Sequence, residues 1–309
     1  MKRAATPHDH AIDARHVHKA DPRGVLVTTA RAAAAGPAGP LEVGDVWYVG
    51  ARLPLAAPSG DVFAHTDALV IAIEALRQAG IAHAHLAGDV PLGHRFVASH
   101  IGLAWHSDPA LLGSQVVEGT FALRTETVRH QRGALTRHSF SATLLHQGQV
   151  LATGSGSLQV VDGRVYERLR AGATPWADVS EHHDPAYLLG ATTTDMRLAA
   201  RLGWTASDPI TFDHGNDHIP AMHLARTALA AHRALDADAA PTGLLLRCAS
   251  FVELAGDVDV VAERSGQGDV VTTFRQGGAP AATVQTIVRP QGGTAETDRV
   301  ATPAGAGRE

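Results

Sequence analysis

Two pairs of neighbouring aspartate and histidine residues lie in segment 210–222 of the chain, which reads ITFDHGNDHIPAM. Asp213 precedes His214, and Asp217 precedes His218. A histidine beside a carboxylate is a typical general acid or base, because imidazole changes its charge near neutral pH. We therefore predict that His214 or His218 is the acid or base of an active site.

The spacing of these histidines also resembles that of metal ligands. His214 and His218 are four residues apart, as ligand pairs on one face of a helix often are. However, Gly215 and Pro220 indicate a loop and the start of a helix rather than one continuous helix. We therefore expect neither a metal nor another cofactor.

A purely structural interpretation of the same segment remains open. Asp217 or Asn216 could cap the helix that follows, with Pro220 in its first turn. Asp213 would then orient a nearby histidine or a backbone amide. In the functional interpretation Asp213, Asp217 and Met222 contact the substrate.

A second group of polar residues lies in the apolar segment 67–82. Glu74, Arg77 and Gln78 are spaced so that they share one face of a helix. If Glu74 is desolvated, its pKa should be raised, and it could remove a proton from a substrate hydroxyl or α-carbon. Arg77 would be a second catalytic residue, and Gln78 would bind the substrate. In the alternative interpretation, Glu74 and Arg77 form an ion pair that only holds the core together.

Arg226 shares a stripe with His218 and Met222, because the three residues are four apart. Arginine is permanently charged, so it binds a phosphate or a carboxylate instead of transferring protons. The alternative is a salt bridge across the interface between the two halves, with Glu74 as a candidate partner.

The composition excludes several classes of function. The chain has 309 residues, 45% of them hydrophobic, 18% charged, and a net charge of −5. Nucleic acid and membranes are therefore not expected partners. Segment 1–21 is polar and does not resemble a secretory signal, so we expect a cytoplasmic protein. Cys248 is the single cysteine, which excludes an intrachain disulfide, and it lies in an apolar segment typical of a core strand.

The apolar patterns predict the same order of elements in both halves. In the first half, we expect a helix at 67–82 and strands at 23–30, 44–53, 95–105, 116–128, 135–146 and 149–161. In the second half, we expect a helix at 218–234 and strands at 196–205, 244–254, 257–263, 270–276 and 281–288. Hairpin turns are predicted at 147–148 and 276–278.

A helix that is apolar on all sides must be surrounded by other elements. A curved antiparallel sheet wrapped around it is the simplest solution, so we predict an α+β fold of two tandem hotdog repeats. The predicted divisions are a flexible N-terminus (1–19), the first repeat (20–167), a linker (168–184), the second repeat (185–289) and a disordered tail (290–309).

Over residues 17–288 the chain resembles the A-factor biosynthesis (AfsA-type) hotdog family. Glu74 begins the family's E-x-x-R-Q-A motif, and P-L-G-H-x-F follows at 91–96. The motif F-D-H-x-x-D-H-x-P-x-M, the most specific of these, occupies 212–222, and the opening VHKADPRGVLVTTA at 17–30 is also similar.

The resemblance implies an enzyme that acts on acyl thioesters. Such an enzyme joins a β-ketoacyl group, carried on CoA or an acyl carrier protein, to the hydroxyl of dihydroxyacetone phosphate, towards γ-butyrolactone signals that control antibiotic production. It also implies that Glu74 is catalytic. This chain departs from the family in its second helix, where Arg226 replaces the family's glutamate and Leu229 its arginine.

We therefore expect an acyltransferase that condenses a β-ketoacyl thioester with a small hydroxylated, glycerol-phosphate-like acceptor. The altered second helix favours two alternatives. One is a hotdog dehydratase, isomerase, cyclase or thioesterase acting on a pathway intermediate. The other is a non-catalytic hotdog that binds a small ligand or a partner protein, and an empty or plugged tunnel around Glu74 would favour it. The sequence leaves the oligomeric state open, with a homodimer among the expected states.

Overall fold

Long antiparallel strands and three α-helices make up the described part of the chain, which in this computed structural model comprises residues 10–33, 40–107, 112, 115–174, 187–205, 208, 210–213 and 215–288. The first half contains β1 (His10–Ala11), β2 (Val27–Ala32), β3 (Val46–Leu53), α1 (Ala68–Ala87), β4 (Arg95–Trp105), β5 (Val117–Gln131), β6 (Ala134–His146), β7 (Gln149–Val161) and α2 (Gly163–Leu169). The second half contains β8 (Leu188–Thr193), β9 (Arg197–Leu202), α3 (Ala221–Leu235), β10 (Gly243–Cys248), β11 (Asp259–Arg264), β12 (Val270–Gln276) and β13 (Ala279–Ile287).

One sheet runs through both halves. The described strands pair in the order β1-β2-β3-β5-β6-β7-β4-β10-β13-β12-β11-β9-β8. β4 and β10, each the first strand after the central helix of its half, pair from Ala104 opposite Gly243 to His100 opposite Arg247. Outward from this junction, the order β7, β6, β5, β3 is matched by β13, β12, β11, β9. This arrangement confirms the predicted α+β fold with two hotdog repeats.

Helix α1 is the buried centre of the first repeat. Asp67 caps it by accepting a hydrogen bond from the Leu69 amide at 2.8 Å. From Leu69 to His85, every residue except Arg77 is buried. Apolar residues from α1, α3 and both halves of the sheet form one continuous core. The helix therefore holds Glu74 deep in the molecule, as its apolar surroundings predict.

Glycine allows α1 to approach the sheet closely. A Cβ atom at Gly80 would lie 2.5 Å from the Phe140 ring on β6. At Gly154 on β7, a Cβ would lie 2.7 Å from Leu76 of the helix. No larger side chain fits at these two positions without displacing the core.

The predicted hairpin turns are confirmed. Gln147 and Gly148 both have positive φ angles, as a two-residue turn between β6 and β7 requires. Gly277 and Gly278 also have positive φ angles and form the turn between β12 and β13. Helix α1 ends at Ala87, beyond the predicted residue 82, and helix α3 begins at Ala221, later than the predicted residue 218. Loop contacts decide where helices begin and end, and the sequence pattern does not reveal them.

The expectation of a flexible segment 1–19 is wrong for residues 10–19. They contain β1 and a short 3-10 helix, Ala14–Val17, capped by Asp13. Val17 and Lys19 are buried, so this segment belongs to the folded body. Residues 1–9, 175–186 and 289–309 lie outside the described residues, and the predicted division limits remain predictions. No helix in the described ranges is both long and apolar enough to cross a bilayer.

Two buried histidines should make the fold sensitive to acid. His83 on α1 and His138 on β6 are fully buried with ring centroids 4.8 Å apart, and no described residue makes a hydrogen bond to their ring nitrogens. Burial lowers the pKa of His138 to about 4 and that of His83 well below its usual value, with mutual repulsion adding to the effect at His83. Both rings are therefore neutral in the folded protein.

Unfolding exposes both rings to water and restores an ordinary pKa near 6.5. Between pH 6.5 and 4 the unfolded chain thus binds more protons, and the unfolding free energy falls as the pH falls. We expect His138 alone to account for roughly 3 kcal/mol by pH 4. Denaturant unfolding across this range should show a shallower pH dependence for His138→Leu than for wild type or the exposed control His130→Gln. Parallel curves would contradict this expectation.

Candidate active site

A cavity of about 800 Å³ lies between the two repeats. Helix α1 contributes Glu74, Arg77 and Ile81 to its wall. The loop before α3 forms the opposite wall, and the start of β4, the end of β7, helix α2, the N-terminal segment and residues 248–252 also contribute to the lining. Members of both groups of polar residues predicted from the sequence therefore meet at this cavity.

Glu74 is the centre of a buried ionic network that we call the Glu74 network (Lys19, Glu74, Arg77 and Gln78). Arg77 donates from Nε to Oε2 at 2.7 Å and from Nη2 to Oε1 at 2.8 Å. Gln78 donates to Oε1 at 2.9 Å, and Lys19 Nζ lies 3.3 Å from the same oxygen. The Glu74 side chain is only 1% exposed, so these contacts replace its hydration.

The expectation of a raised pKa at Glu74 is wrong. Burial alone would raise it, but attraction to Arg77 and Lys19 outweighs burial and lowers the pKa to about 2. Glu74 is therefore a stable carboxylate at neutral pH and a weak proton acceptor. The ion pair with Arg77 matches the structural alternative, although both residues also line the cavity.

Lys19 is a site residue that the sequence interpretation missed. Its Nζ donates to the Ile210 carbonyl at 2.7 Å and lies 3.9 Å from Asp213 Oδ1. The backbone amide of Ala20 donates to Asp213 at 2.9 Å. The N-terminal segment thus connects α1 of the first repeat to the loop before α3 of the second. A buried carboxylate on an apolar helix needs cations, and that requirement was the available signal.

Gln78 does not line the cavity, which corrects its prediction as a substrate-binding residue. Its side chain accepts a hydrogen bond from the Leu26 amide and donates to the Gly24 carbonyl, each at 2.8 Å. Gln78 therefore holds the start of β2 against α1, and its side chain also donates a hydrogen bond to Glu74.

Asp217 and His218 form a dyad on the opposite wall, which we call the His-Asp dyad. His218 Nδ1 lies 2.6 Å from Asp217 Oδ1. Tyr166 donates to the same oxygen at 3.0 Å, and Arg170 Nε donates to Oδ2 at 2.8 Å. Although burial opposes the effect, the hydrogen bonds from His218 and Arg170 hold the pKa of Asp217 well below its usual range. An ionised Asp217 accepts the Nδ1–H of His218, which leaves Nε2 as the basic nitrogen.

The structural alternative, in which Asp217 or Asn216 caps the second helix, is wrong. The residue before α3 is Pro220, and no side chain caps the helix there. Asp217 is engaged by the dyad instead. The site therefore pairs this carboxylate with a histidine, whereas the functional interpretation placed Asp217 in contact with the substrate. His214 lies outside the described residues.

Arg226 points to a different environment from the one predicted. It pairs with Asp208 at 2.6 Å and lies over the Tyr187 ring, so the suggested salt bridge to Glu74 does not form. Arg226 does not line the cavity, whereas Asp213 and Met222 do. Leu229 is buried in the core. The substituted positions of the second helix thus belong to packing around α3.

Two further observations concern the thiol of Cys248 and candidate metal ligands. Cys248 lines the cavity, but burial raises the pKa of its thiol to about 11, so it stays protonated at neutral pH. Within the described ranges, no three or more His, Cys, Asp or Glu side chains are grouped closely enough to hold a metal ion.

Comparison with known proteins relates this site to one family. Residues 1–162 match the AfsA A-factor biosynthesis hotdog domain. Two enzymes named 2-oxo-3-(phosphooxy)propyl 3-oxoalkanoate synthase are similar: that of Streptomyces virginiae is 29% identical over 54% of this chain and 60% of its own length, and that of Streptomyces coelicolor is 30% identical over 60% of this chain and 62% of its own. The chain thus spans about three fifths of these relatives.

A solved structure shows the same fold. A putative oleoyl thioesterase from Lactobacillus plantarum superimposes with a TM-score of 0.52 at 13% identity, covering 80% of this chain and 98% of that one. Such low identity supports the double hotdog architecture and nothing finer. The match to the family domain covers the first repeat as far as the end of β7, including the Glu74 network. The chain therefore belongs to the A-factor biosynthesis hotdog family.

Proposed function

We propose that this protein transfers a 3-oxoacyl group from a thioester to the hydroxyl of a small phosphorylated acceptor. The His-Asp dyad facing the Glu74 network across one cavity is the observation that carries the proposal. The names of the Streptomyces relatives describe such a product, an ester between a 3-oxoalkanoate and a 2-oxo-3-(phosphooxy)propyl group.

His218 is the general base in this proposal. Its Nε2 takes the proton of the acceptor hydroxyl as the hydroxyl oxygen attacks the thioester carbonyl carbon. The tetrahedral intermediate then collapses, the C–S bond breaks, and the departing sulfur receives the proton from the imidazolium. The products are an ester and a free thiol, and the balance requires no oxidant or reductant. Asp217 stabilises the imidazolium during the reaction.

The start of α3 supplies the positive field that the oxyanion needs. Ala221 and Met222 lie at the cavity wall, where the helix begins and the positive end of its dipole is directed. Apolar side chains of the lining, among them Ile81, Phe96 and Leu158, suit an aliphatic acyl chain. The cavity thus combines an apolar part for the donor with a polar part for the reaction.

Two arginines of the cavity suit the acceptor's phosphate better than Arg226 does. Arg77 lines the cavity with its side chain 20% exposed. Arg95 is exposed at the cavity edge over the Tyr166 ring and has no ion pair with a carboxylate among the described residues. A guanidinium group binds phosphate in a bidentate manner, so these residues would fix the acceptor's orientation.

The test is to incubate the full chain with a 3-oxoacyl thioester and dihydroxyacetone phosphate, using CoA and carrier-protein donors in parallel. We expect mass spectrometry to detect an ester that contains the acceptor carbons, with one thiol released per ester. Thiol release without incorporation of acceptor would instead indicate hydrolysis, since the same dyad can activate water. If 3-oxoacyl thioesters of every acyl chain length tested remain intact, the protein does not act on thioesters.

A further inference from the structure

Arg170 connects the first repeat to the residues around His218, the proposed general base of the second repeat. It follows directly after α2, in the segment that leaves β7, yet its guanidinium group reaches the loop before α3. Nη1 and Nη2 donate to the two carboxylate oxygens of Glu253, both at 2.7 Å. Nη2 also donates to the Asp217 carbonyl at 2.8 Å, and Nε donates to the Asp217 carboxylate.

The contacts around Arg170 leave Asp217 little freedom. Arg170 binds both the backbone and the side chain of Asp217, while Tyr166 holds the oxygen that also accepts from His218. Both Tyr166 and Arg170 lie on the α2 segment. A carboxylate held by three partners in fixed directions cannot rotate away from the imidazole without breaking charge-assisted hydrogen bonds.

Arg170 is itself held in place by Glu253 and by the Phe251 ring. The Gln276 side chain accepts from the Glu253 amide at 2.8 Å and donates to the Glu253 carbonyl at 3.1 Å. The Phe251 ring contacts both the cation and the base: its centroid is 4.3 Å from the Arg170 guanidinium carbon and 4.7 Å from the His218 ring centroid. The orientation of the base thus depends on residues from both repeats.

We propose that Arg170 and Tyr166 are positioning residues of the acyl-transfer site, which keep Asp217 aligned so that the His218 ring holds its proton on Nδ1 and keeps Nε2 basic. This inference rests on the proposed function of the His-Asp dyad. A neutral imidazole can carry its proton on either nitrogen, and the Nε2–H form cannot accept a proton from the acceptor. Aligning Asp217 selects the productive form.

Two variants test this role with the fold preserved. Arg170→Lys keeps the charge but cannot reproduce the planar fork that binds Asp217 and Glu253 together. Tyr166→Phe removes a single hydroxyl. Arg168→Met is the matched control, because Arg168 is exposed on the same segment and makes no side-chain contact to the dyad.

The readout combines kinetics with the ¹⁵N shifts of the His218 ring at mildly alkaline pH, where an ordinary imidazole is neutral. For Arg170→Lys we expect kcat to fall about 10- to 100-fold, the usual cost of losing a partner that orients a metal-bound histidine, with KM changed little. The ¹⁵N spectrum should change from a pure Nδ1–H tautomer to a mixture. Tyr166→Phe should show a smaller change in the same direction, and Arg168→Met none.

A pure Nδ1–H tautomer in both Arg170→Lys and Tyr166→Phe would overturn the proposal, even if their activity fell. The tautomer is observed without turnover, so it separates this inference from the proposed function. If the wild type leaves every thioester intact, the acyl-transfer proposal fails, and the shift of the His218 nitrogens still decides whether Arg170 aligns the dyad.

Discussion

Replacing His218 with asparagine is expected to lower kcat/KM for acyl transfer by about 10²- to 10⁴-fold, the usual contribution of a positioned general base. Asparagine keeps a polar group beside Asp217 but cannot take the hydroxyl proton. His218 is partly exposed at the cavity wall, so the substitution should not change the thermal midpoint Tm by more than a few degrees. Initial rates of thiol release and ester formation measure the effect.

The matched control for this prediction is His65→Asn. His65 is exposed, lies outside the cavity lining, and has a positive φ of 61° that asparagine tolerates. Its activity should equal that of wild type. If His218→Asn retains more than about a tenth of wild-type kcat/KM, His218 is not the general base.

Glu74→Gln is expected to destabilise the fold by roughly 3–5 kcal/mol, because it leaves the buried Lys19 and the partly buried Arg77 without the carboxylate that they share. Lys19 and Glu74 have side chains only 3% and 1% exposed, so water cannot compensate for the loss. The double variant Glu74→Gln/Lys19→Met removes one of the stranded charges and should recover part of the stability. Denaturant unfolding of the wild type, both single variants and the double variant gives the coupling free energy.

The pH dependence of the unfolding free energy is a second test of the Glu74 network. Glu74 has a folded pKa of about 2 against an ordinary value of 4.5, so its contribution is complete above pH 4.5 and is lost as the pH falls towards 2. The difference between wild type and Glu74→Gln should therefore narrow over that interval. A stability difference below about 1 kcal/mol at neutral pH would show that the network contributes little.

Much of the fold could be predicted because its signals are local. β4, β7 and β12 have the predicted limits, since alternating and β-branched residues end at recognisable turns. Glu74 could be assigned to a buried helix because apolar residues surround it in the sequence. His218 and Asp217 are neighbours in the chain, so their dyad also left a local signal.

The partners of the site residues could not be predicted in the same way, because they are distant in sequence. Lys19 meets the Ile210 carbonyl across 191 positions, and Arg170 meets Glu253 across 83. Arg226 was paired with the wrong acid for the same reason: Asp208 lies in a loop whose path no periodicity reveals. The direction of the pKa shift of Glu74 followed from these missing cations, which outweigh burial.

The pairing of β4 with β10 has a consequence for how this protein could evolve or be recombined. If the halves were separated, each would expose a row of unpaired backbone N–H and C=O groups along its innermost strand, the kind of edge that promotes aggregation. The apolar core also continues across the junction. The two repeats therefore constitute a single cooperative unit, and an exchange of halves between relatives would succeed only where the register of this junction is retained.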